Sequence, residues 1–122
     1  MRVMKLAVIG SGIIVNEFLS IVPYLNNIKI NGIYGRKKSY EKLNKIKKQN
    51  NIKNIFYNYE ELLKSDIDTV YICLPNSLHF EFSRKALEAN KNVIVEKPIT
   101  SNYKEAKILS DLARKRGLFI FE

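Results

Sequence analysis

A glycine-containing turn near the amino terminus has the residue types and spacing that bind a diphosphate. Gly10-Ser11-Gly12-Ile13-Ile14-Val15 lies between the apolar run Leu6–Ile9 and an amphipathic segment. Gly10 permits a tight turn, Gly12 lets a ligand approach the backbone, and the following helix offers unpaired N–H groups to an anion. Val15 stands where a third glycine or an alanine is usual. An ordinary strand-to-helix turn is the alternative, but the position in the first βα unit favours a dinucleotide site.

Basic side chains follow the second apolar run. A carboxylate about 20 residues beyond the glycines would bind both ribose hydroxyls of NAD. The chain has Tyr34-Gly35-Arg36-Lys37-Lys38 there instead. This segment leaves room and positive charge for a 2′-phosphate, and the Arg36 guanidinium can also lie flat on adenine. We therefore expect Gly35, Arg36 and Lys37 to favour NADP, with NAD as the alternative cofactor; three solvated basic residues in a loop are the other interpretation.

Two further motifs follow later apolar runs. They are Leu74-Pro75-Asn76-Ser77-Leu78-His79 and Glu96-Lys97-Pro98. In an open parallel sheet, ligands bind at the edge where such segments meet. The chain has one histidine and one cysteine, Cys73, so its sequence predicts neither a metal site nor an internal disulfide, and a Ser-His-Asp triad is disfavoured.

Apolar runs that alternate with amphipathic stretches must position these motifs. The predicted strands are Leu6–Ile9, Ile28–Tyr34, Ile55–Tyr57, Thr69–Leu74, Asn92–Val95 and Leu118–Phe121. Helices are predicted between them, with Asn58 and Asn102 as N-caps and Gly117 as the end of the last helix. Continuous apolar strands separated by helices indicate parallel pairing. We expect one α/β domain over residues 1–122, with a doubly wound, mostly parallel six-stranded sheet in a three-layer αβα Rossmann fold.

Composition and charge exclude several classes of protein. The 122 residues are 46% hydrophobic and 27% charged, which is typical of a globular domain and not of a disordered chain. No apolar run reaches the roughly 18 residues that cross a bilayer, and the start has no signal-peptide pattern, so we expect a cytoplasmic protein. The net charge is +9, with seven basic residues between Arg36 and Lys48. A solvated basic face is favoured over nucleic-acid binding, because no aromatic stacking platform accompanies the charge.

Taken together, the motifs resemble one known family. With Asp68–Ile72 and Ala86–Val93, they make the sequence similar to the Gfo/Idh/MocA family, which is named for glucose-fructose oxidoreductase and inositol dehydrogenase. The resemblance is collinear from Lys5 to Glu122, and Glu96-Lys97-Pro98 is its most specific element. It implies an NAD(P)-binding domain of an oxidoreductase that transfers hydride between nicotinamide and a sugar, polyol or related hydroxyl or carbonyl compound.

The resemblance also implies roles for single residues. Lys97 is expected near the nicotinamide and the substrate hydroxyl, where it assists proton transfer. Glu96 is expected to bind the nicotinamide-ribose hydroxyls, while the remaining site residues shape the ribose and nicotinamide site: Leu74, Pro75, Asn76 and His79. Leu74 replaces a frequent small or hydroxyl residue of the family. Outside the family pattern, Lys97 would be a solvated surface residue and His79 a capping or packing one.

The family pattern continues beyond the last residue of this chain. A larger substrate domain normally follows, and it is absent from the sequence up to Glu122. We therefore expect a nucleotide-binding domain that is catalytically incomplete alone, because specific turnover needs a closed, oriented substrate site. The alternative is a cofactor-sensing or self-association module, forming homo-oligomers through an exposed strand edge. A basic nucleic-acid-binding domain ranks third.

Overall fold

Strands and helices alternate along residues 2–100 and 102–122, which the computed structural model describes. Within these ranges the strands are β1 (Met4–Ile9), β2 (Ile28–Tyr34), β3 (Asn54–Phe56), β4 (Thr69–Ile72), β5 (Asn92–Val95) and β6 (Ile120–Phe121). The α-helices are α1 (Ile13–Ile21), α2 (Tyr40–Asn50), α3 (Tyr59–Lys64), α4 (His79–Glu88) and α5 (Tyr103–Lys115). Short 3-10 helices cover Val22–Tyr24, Lys37–Ser39 and Asn76–Leu78.

The strands form one sheet in which every pair is parallel. Its order is β3-β2-β1-β4-β5-β6. The chain builds outward from β1 in one direction through β2 and β3, and then in the other through β4, β5 and β6. The strand order therefore reverses between β1 and β4, which is where open parallel sheets bind ligands. The predicted doubly wound α/β fold is confirmed.

Each face of the sheet is covered by helices. In β1, Leu6 and Val8 face a cluster that includes residues of α1 and α2, whereas Ala7 and Ile9 face α3, α4 and α5. All four side chains are fully buried. This burial explains why β1 is a continuous apolar run, and it confirms the three-layer arrangement. Within the described ranges, no helix is both long and apolar enough to cross a membrane.

Helix ends follow the predicted signals, whereas some strand ends do not. The side chain of Asn58 accepts a hydrogen bond from the Glu61 N–H at 3.0 Å, and that of Asn102 accepts one from the Glu105 N–H at 2.8 Å. Both predicted N-caps are therefore confirmed. The fourth strand ends at Ile72, two residues earlier than predicted, because the chain turns into the 3-10 helix Asn76–Leu78.

Main-chain hydrogen bonds align the segments that follow four strands. In each case, the first residue beyond a strand still donates its N–H to a neighbouring strand. The bonds are Gly10 to Tyr34 (2.9 Å), Gly35 to Phe56 (3.2 Å), Cys73 to Ile9 (2.9 Å) and Glu96 to Ile72 (3.2 Å). All four segments with predicted site residues therefore begin at the same edge of the sheet.

Candidate functional site

The turn between β1 and α1 exposes unpaired backbone donors. Gly10 has a φ of +126°, and a Cβ there would lie 2.7 Å from the Cys73 carbonyl oxygen, so no larger residue fits. Gly12 has open space where a Cβ would point, with nothing within 4 Å. Helix α1 starts next, with no side-chain cap and no acidic residue in its first turn. Its N–H groups and partial positive charge are therefore available to an anion.

The next residues of this turn face different surroundings. Val15 is fully buried in the cluster with Leu6, Val8 and Leu19, so it packs α1 onto the sheet and leaves the turn open. In contrast, Ile13 and Ile14 are exposed in the first turn of the helix. The cofactor-binding role that the sequence predicts for these two residues therefore depends on their main-chain N–H groups and not on their side chains.

The turn forms one wall of a cleft of about 410 Å³ at the carboxyl edge of the sheet. We call it the edge cleft. Its lining consists of Gly10, Ser11, Gly12, Tyr34, Gly35, Arg36, Lys38, Ser39, Lys42, Cys73, Leu74, Pro75, Leu78 and Phe82. The volume falls in the range of small-molecule and cofactor sites, roughly 300 to 1,000 Å³. A larger cavity of about 490 Å³ lies at the opposite edge, near the carboxyl ends of α1 and α2. The partial negative charge of a helix carboxyl end disfavours an anion there.

Three cations line the end of the edge cleft beside β2. They are Arg36, Lys38 and Lys42, together with Ser39, and the described lining contains no carboxylate. None of these cations takes part in the ion pairs found within residues 2–100 and 102–122. The predicted residue Lys37 is exposed and does not line the cleft. This end of the cleft is therefore suited to a further anionic group.

Helix α2 distributes its basic side chains over two separate surfaces. Lys42 lines the edge cleft, whereas Lys45 and Lys48 line a separate outer surface with Tyr40 and Glu41. Successive helical residues are 100° apart, so a run of lysines along α2 faces several directions. The cluster of charge in the sequence is thus not one continuous basic face.

Aromatic rings form an apolar wall at the β2 end of the edge cleft. Tyr34 and Phe82 line the cleft, with ring centroids 5.8 Å apart, and Tyr59 packs against both. The Tyr59 hydroxyl donates to the Phe82 carbonyl at 2.9 Å, and burial raises the pKa of this phenol far above its usual range. Because Tyr59 is locked in this way, the wall is a rigid surface against which a flat ring can pack.

A buried histidine joins the segments that follow β4 and β5. His79 is fully buried, and its Nδ1 lies 2.6 Å from the Pro98 carbonyl oxygen. Its Nε2 lies 2.8 Å from the carbonyl oxygen of Leu74. The His79 side chain is therefore not accessible to a ligand. If it contributes to cofactor binding, it does so indirectly, by holding the two segments together. The role that the sequence predicts for it stays a prediction.

The predicted catalytic segment lies beside the edge cleft and not in its lining. Lys97 and Asn76 are exposed, Glu96 is half-buried, and the Lys97–Pro98 peptide is cis. Cys73 separates Glu96 from the glycine turn and lines the cleft. Burial and the nearby charge of Glu96 raise the pKa of the Cys73 thiol to about 12. The thiol is therefore neutral near pH 7.

A comparison with known families agrees with this geometry. The profile of an oxidoreductase family with an NAD-binding Rossmann fold, GFO_IDH_MocA, matches residues 4–122. The chain belongs to this Gfo/Idh/MocA family. The resemblance inferred from the motifs is confirmed, and the chain is an NAD(P)-binding Rossmann domain of that family.

Individual members of the Gfo/Idh/MocA family show the same relationship. The chain is 34% identical over 119 residues to the uncharacterized oxidoreductase YgjR of Escherichia coli. It is 30% identical over 119 residues to IolU of Bacillus subtilis, a scyllo-inositol 2-dehydrogenase (NADP(+)). Each alignment covers 97% of this chain and 36% of the relative. The chain therefore spans about a third of the length of these relatives.

Solved structures of the family have the same architecture. KijD10, a 3-ketoreductase from Actinomadura kijaniata in complex with NADP and TDP-benzene, superposes with a TM-score of 0.88 at 29% identity. That comparison covers 96% of this chain and 36% of the other. An apo scyllo-inositol dehydrogenase from Lactobacillus casei gives a TM-score of 0.86 at 21% identity, which shows the shared fold.

The residues of this chain fit the dinucleotide that the family name implies. Gly12 leaves open space before an uncapped helix, and the cleft next to it is large enough for a cofactor. Seven residues that line the cleft are not among the site residues predicted from the sequence: Tyr34, Lys38, Ser39, Lys42, Cys73, Leu78 and Phe82. The helical spacing of Lys38 and Lys42, four residues apart, is the signal that would have indicated a shared face.

Proposed function

We propose that the edge cleft binds NADP(H) as the coenzyme site of a sugar or polyol oxidoreductase. The observation that carries the proposal is a group of three cations at the β2 end of the cleft, which among the described residues has neither an ion-pair partner nor a carboxylate in the cleft lining. A 2′-phosphate there is attracted by Arg36, Lys38 and Lys42, whereas a bare ribose diol finds no acceptor carboxylate. The diphosphate lies against the N–H groups at the start of α1.

The other end of the coenzyme site lies toward Glu96 and Lys97. Bound nicotinamide supplies or accepts the hydride. Glu96 accepts hydrogen bonds from the ribose hydroxyls, and Lys97 donates a proton to, or takes one from, the substrate oxygen. Leu74, Pro75 and Asn76 shape the floor on which the ring lies. These roles are drawn from the family resemblance, and the exposed position of Lys97 keeps its ammonium within reach of a substrate.

The proposed substrate class follows from the family and from the chemistry at the two ends of the coenzyme site. We infer a hydroxyl or carbonyl compound related to sugars or polyols: the name of IolU describes an inositol substrate for that protein, and that of KijD10 describes reduction of a ketone. The edge cleft binds only the coenzyme, so the chain alone holds coenzyme without turning over substrate. Turnover requires a further protein surface that holds the substrate in the correct orientation against the nicotinamide.

Calorimetric titration of NADPH and NADH tests the cofactor preference. The wild-type chain is expected to bind NADPH more tightly than NADH. Arg36→Ala and Lys42→Ala each weaken NADPH binding by about tenfold, because a charge-assisted contact to the phosphate is lost. NADH binding is expected to change less than NADPH binding in either variant, since NADH has no 2′-phosphate.

Lys45→Ala is the matched control for this titration. It removes the same charge from the same helix, but Lys45 lies on the outer surface away from the edge cleft. Its NADPH affinity is expected to equal that of wild type. Equal, weak binding of both nucleotides to wild type and to Arg36→Ala would contradict the proposal.

A further inference from the structure

Tyr71 of β4 makes a short side-chain contact with Glu96. Its hydroxyl donates to the Oε1 atom of Glu96 at 2.5 Å. The register that pairs Ile72 with Val95 brings these two residues to the same face of the sheet. The ring of Tyr71 is fixed from the other side by Phe18 of α1, with centroids 4.8 Å apart and planes at 86°. Both partners of the hydrogen bond are half-buried.

The direction of this hydrogen bond follows from the chemistry of its partners. Burial, and then the hydrogen bond to Glu96, raise the pKa of the Tyr71 phenol well above its usual range. The hydroxyl therefore stays protonated and donates, while the carboxylate accepts. Hydrogen bonds of this type are short and stronger than those between neutral groups. One oxygen of Glu96 is thereby fixed, and its Oε2 atom makes no hydrogen bond within the described part of the chain.

The position of Glu96 connects this contact to the edge cleft. Glu96 follows β5 directly and lies beside Cys73, which lines the cleft next to Gly10. The Cys73 thiol is neutral at physiological pH, so it adds no charge between the carboxylate and the cleft. Oε2 is therefore the acceptor that remains for a ligand at this end.

We propose that Tyr71 is a positioning residue, whose hydroxyl holds the Glu96 carboxylate so that the second oxygen accepts hydrogen bonds from the nicotinamide ribose. The inference rests on the proposed function, because it needs a dinucleotide in the edge cleft. Tyr71 itself touches no part of the ligand. It acts by removing rotamer freedom from Glu96 before binding, which lowers the entropic cost of association.

Two ligands separate this role from a general structural one. NADP⁺ contains the nicotinamide ribose, whereas adenosine 2′,5′-bisphosphate keeps the adenosine and the 2′-phosphate but lacks that ribose. Tyr71→Phe keeps the ring against Phe18 and removes only the hydroxyl. It is expected to weaken NADP⁺ binding by about 3- to 10-fold and to leave binding of the bisphosphate unchanged. Glu96→Gln is expected to show the same selectivity.

A double-mutant cycle tests whether Tyr71 acts through Glu96. In the Glu96→Gln background, Tyr71→Phe is expected to add less than about a twofold further loss of NADP⁺ affinity. Ser65→Ala is the matched control. It removes a half-buried hydroxyl that donates to the Leu62 carbonyl at 2.6 Å near the opposite edge of the sheet, and both ligands should bind it as they bind wild type.

The outcomes distinguish the two proposals. Equal weakening of both ligands by Tyr71→Phe, or unchanged binding of NADP⁺, would overturn the positioning role alone, as would independent, additive effects of the two substitutions. Failure of the folded wild-type chain to bind either ligand would overturn the proposed function and, with it, this inference.

Discussion

At the scale of single residues, two glycines of one turn have different physical roles. Gly10 is required by the backbone, since its φ of +126° and the 2.7 Å approach to the Cys73 carbonyl exclude a Cβ. Gly12 has an ordinary φ of −83° and open space around it. The fold therefore needs the first glycine, whereas no contact in the described residues requires the second, whose proposed role is to leave room for the ligand.

Alanine at each position separates folding from binding. Gly10→Ala is expected to lower the free energy of unfolding by about 2 to 4 kcal/mol, through backbone strain and a steric clash. Gly12→Ala costs about 1 kcal/mol or less, but it weakens NADPH binding by at least about tenfold, because a methyl group intrudes where the diphosphate lies. Urea unfolding and NADPH titration measure the two effects. Wild-type affinity in a folded Gly12→Ala variant would contradict this assignment.

Residue types in the sequence predicted part of the site. Arg36 lines the cleft beside the glycine turn, because it follows a strand that ends there, and its preference for NADP stays a prediction. Lys37 was expected with it, but the structure places Lys38 and Lys42 in the lining instead. The short 3-10 helix Lys37–Ser39 sets this direction, and three consecutive basic residues carry no pattern from which such a turn is predictable.

At the scale of elements, His79 links the segments after β4 and β5. Both ring nitrogens face carbonyl oxygens, so an apolar replacement removes the ring N–H from at least one part-buried acceptor. His79→Leu is therefore expected to lower the free energy of unfolding by about 2 to 5 kcal/mol. It should also weaken NADP⁺ binding, because the segments with Leu74 and Pro98 lose their connection. Chemical denaturation and calorimetry measure the two losses.

Ser83→Ala provides the control on the same helix. Ser83 is also fully buried in α4, but its hydroxyl has no hydrogen-bonding partner within the described residues. Removing this hydroxyl is expected to leave stability unchanged or slightly higher. If Ser83→Ala lowered the free energy of unfolding as much as His79→Leu, the loss would arise from packing in α4 and not from the His79 contacts to the carbonyl oxygens.

Elements were more predictable than the contacts between them. Continuous apolar runs in β1 and β4 indicated buried parallel strands, and Asn58 and Asn102 marked two helix starts. The sequence does not state which residues of neighbouring strands lie side by side. The pairing of Ile72 with Val95, which brings Tyr71 to Glu96, follows only from the assembled sheet. For the same reason, nothing in the motif around His79 showed that both of its nitrogens are occupied.

At the scale of the whole molecule, one buried and two half-buried groups with raised pKa values make stability sensitive to alkaline pH. Burial raises the pKa of the Cys73 thiol to about 12, and burial raises those of the Tyr59 and Tyr71 phenols further above their usual values. Above about pH 9 the unfolded chain loses these protons first, so the folded chain binds more protons than the unfolded one. The free energy of unfolding must then fall as pH rises, by about 1.4 kcal/mol per pH unit for each group that titrates only when unfolded.

Urea unfolding between pH 8 and pH 11 measures this decline. Tyr59→Phe and Cys73→Ala are each expected to make the decline shallower, since each removes one titrating group. Their own stability at pH 8 serves as the reference for each series. A free energy of unfolding that is constant from pH 8 to pH 11 in wild type would contradict the expected proton linkage.

The aromatic wall of Tyr34, Tyr59 and Phe82 gives the molecule an optical property. The chain contains no tryptophan and seven tyrosines, so its ultraviolet emission arises from tyrosine alone. Tyr34 lines the cleft, and its ring centroid lies 5.6 Å from that of Tyr59, close enough for the two to exchange excitation. A purine stacked on this wall would perturb their fluorescence directly. The domain thus contains a label-free reporter of occupancy at the place where the nucleotide base is expected.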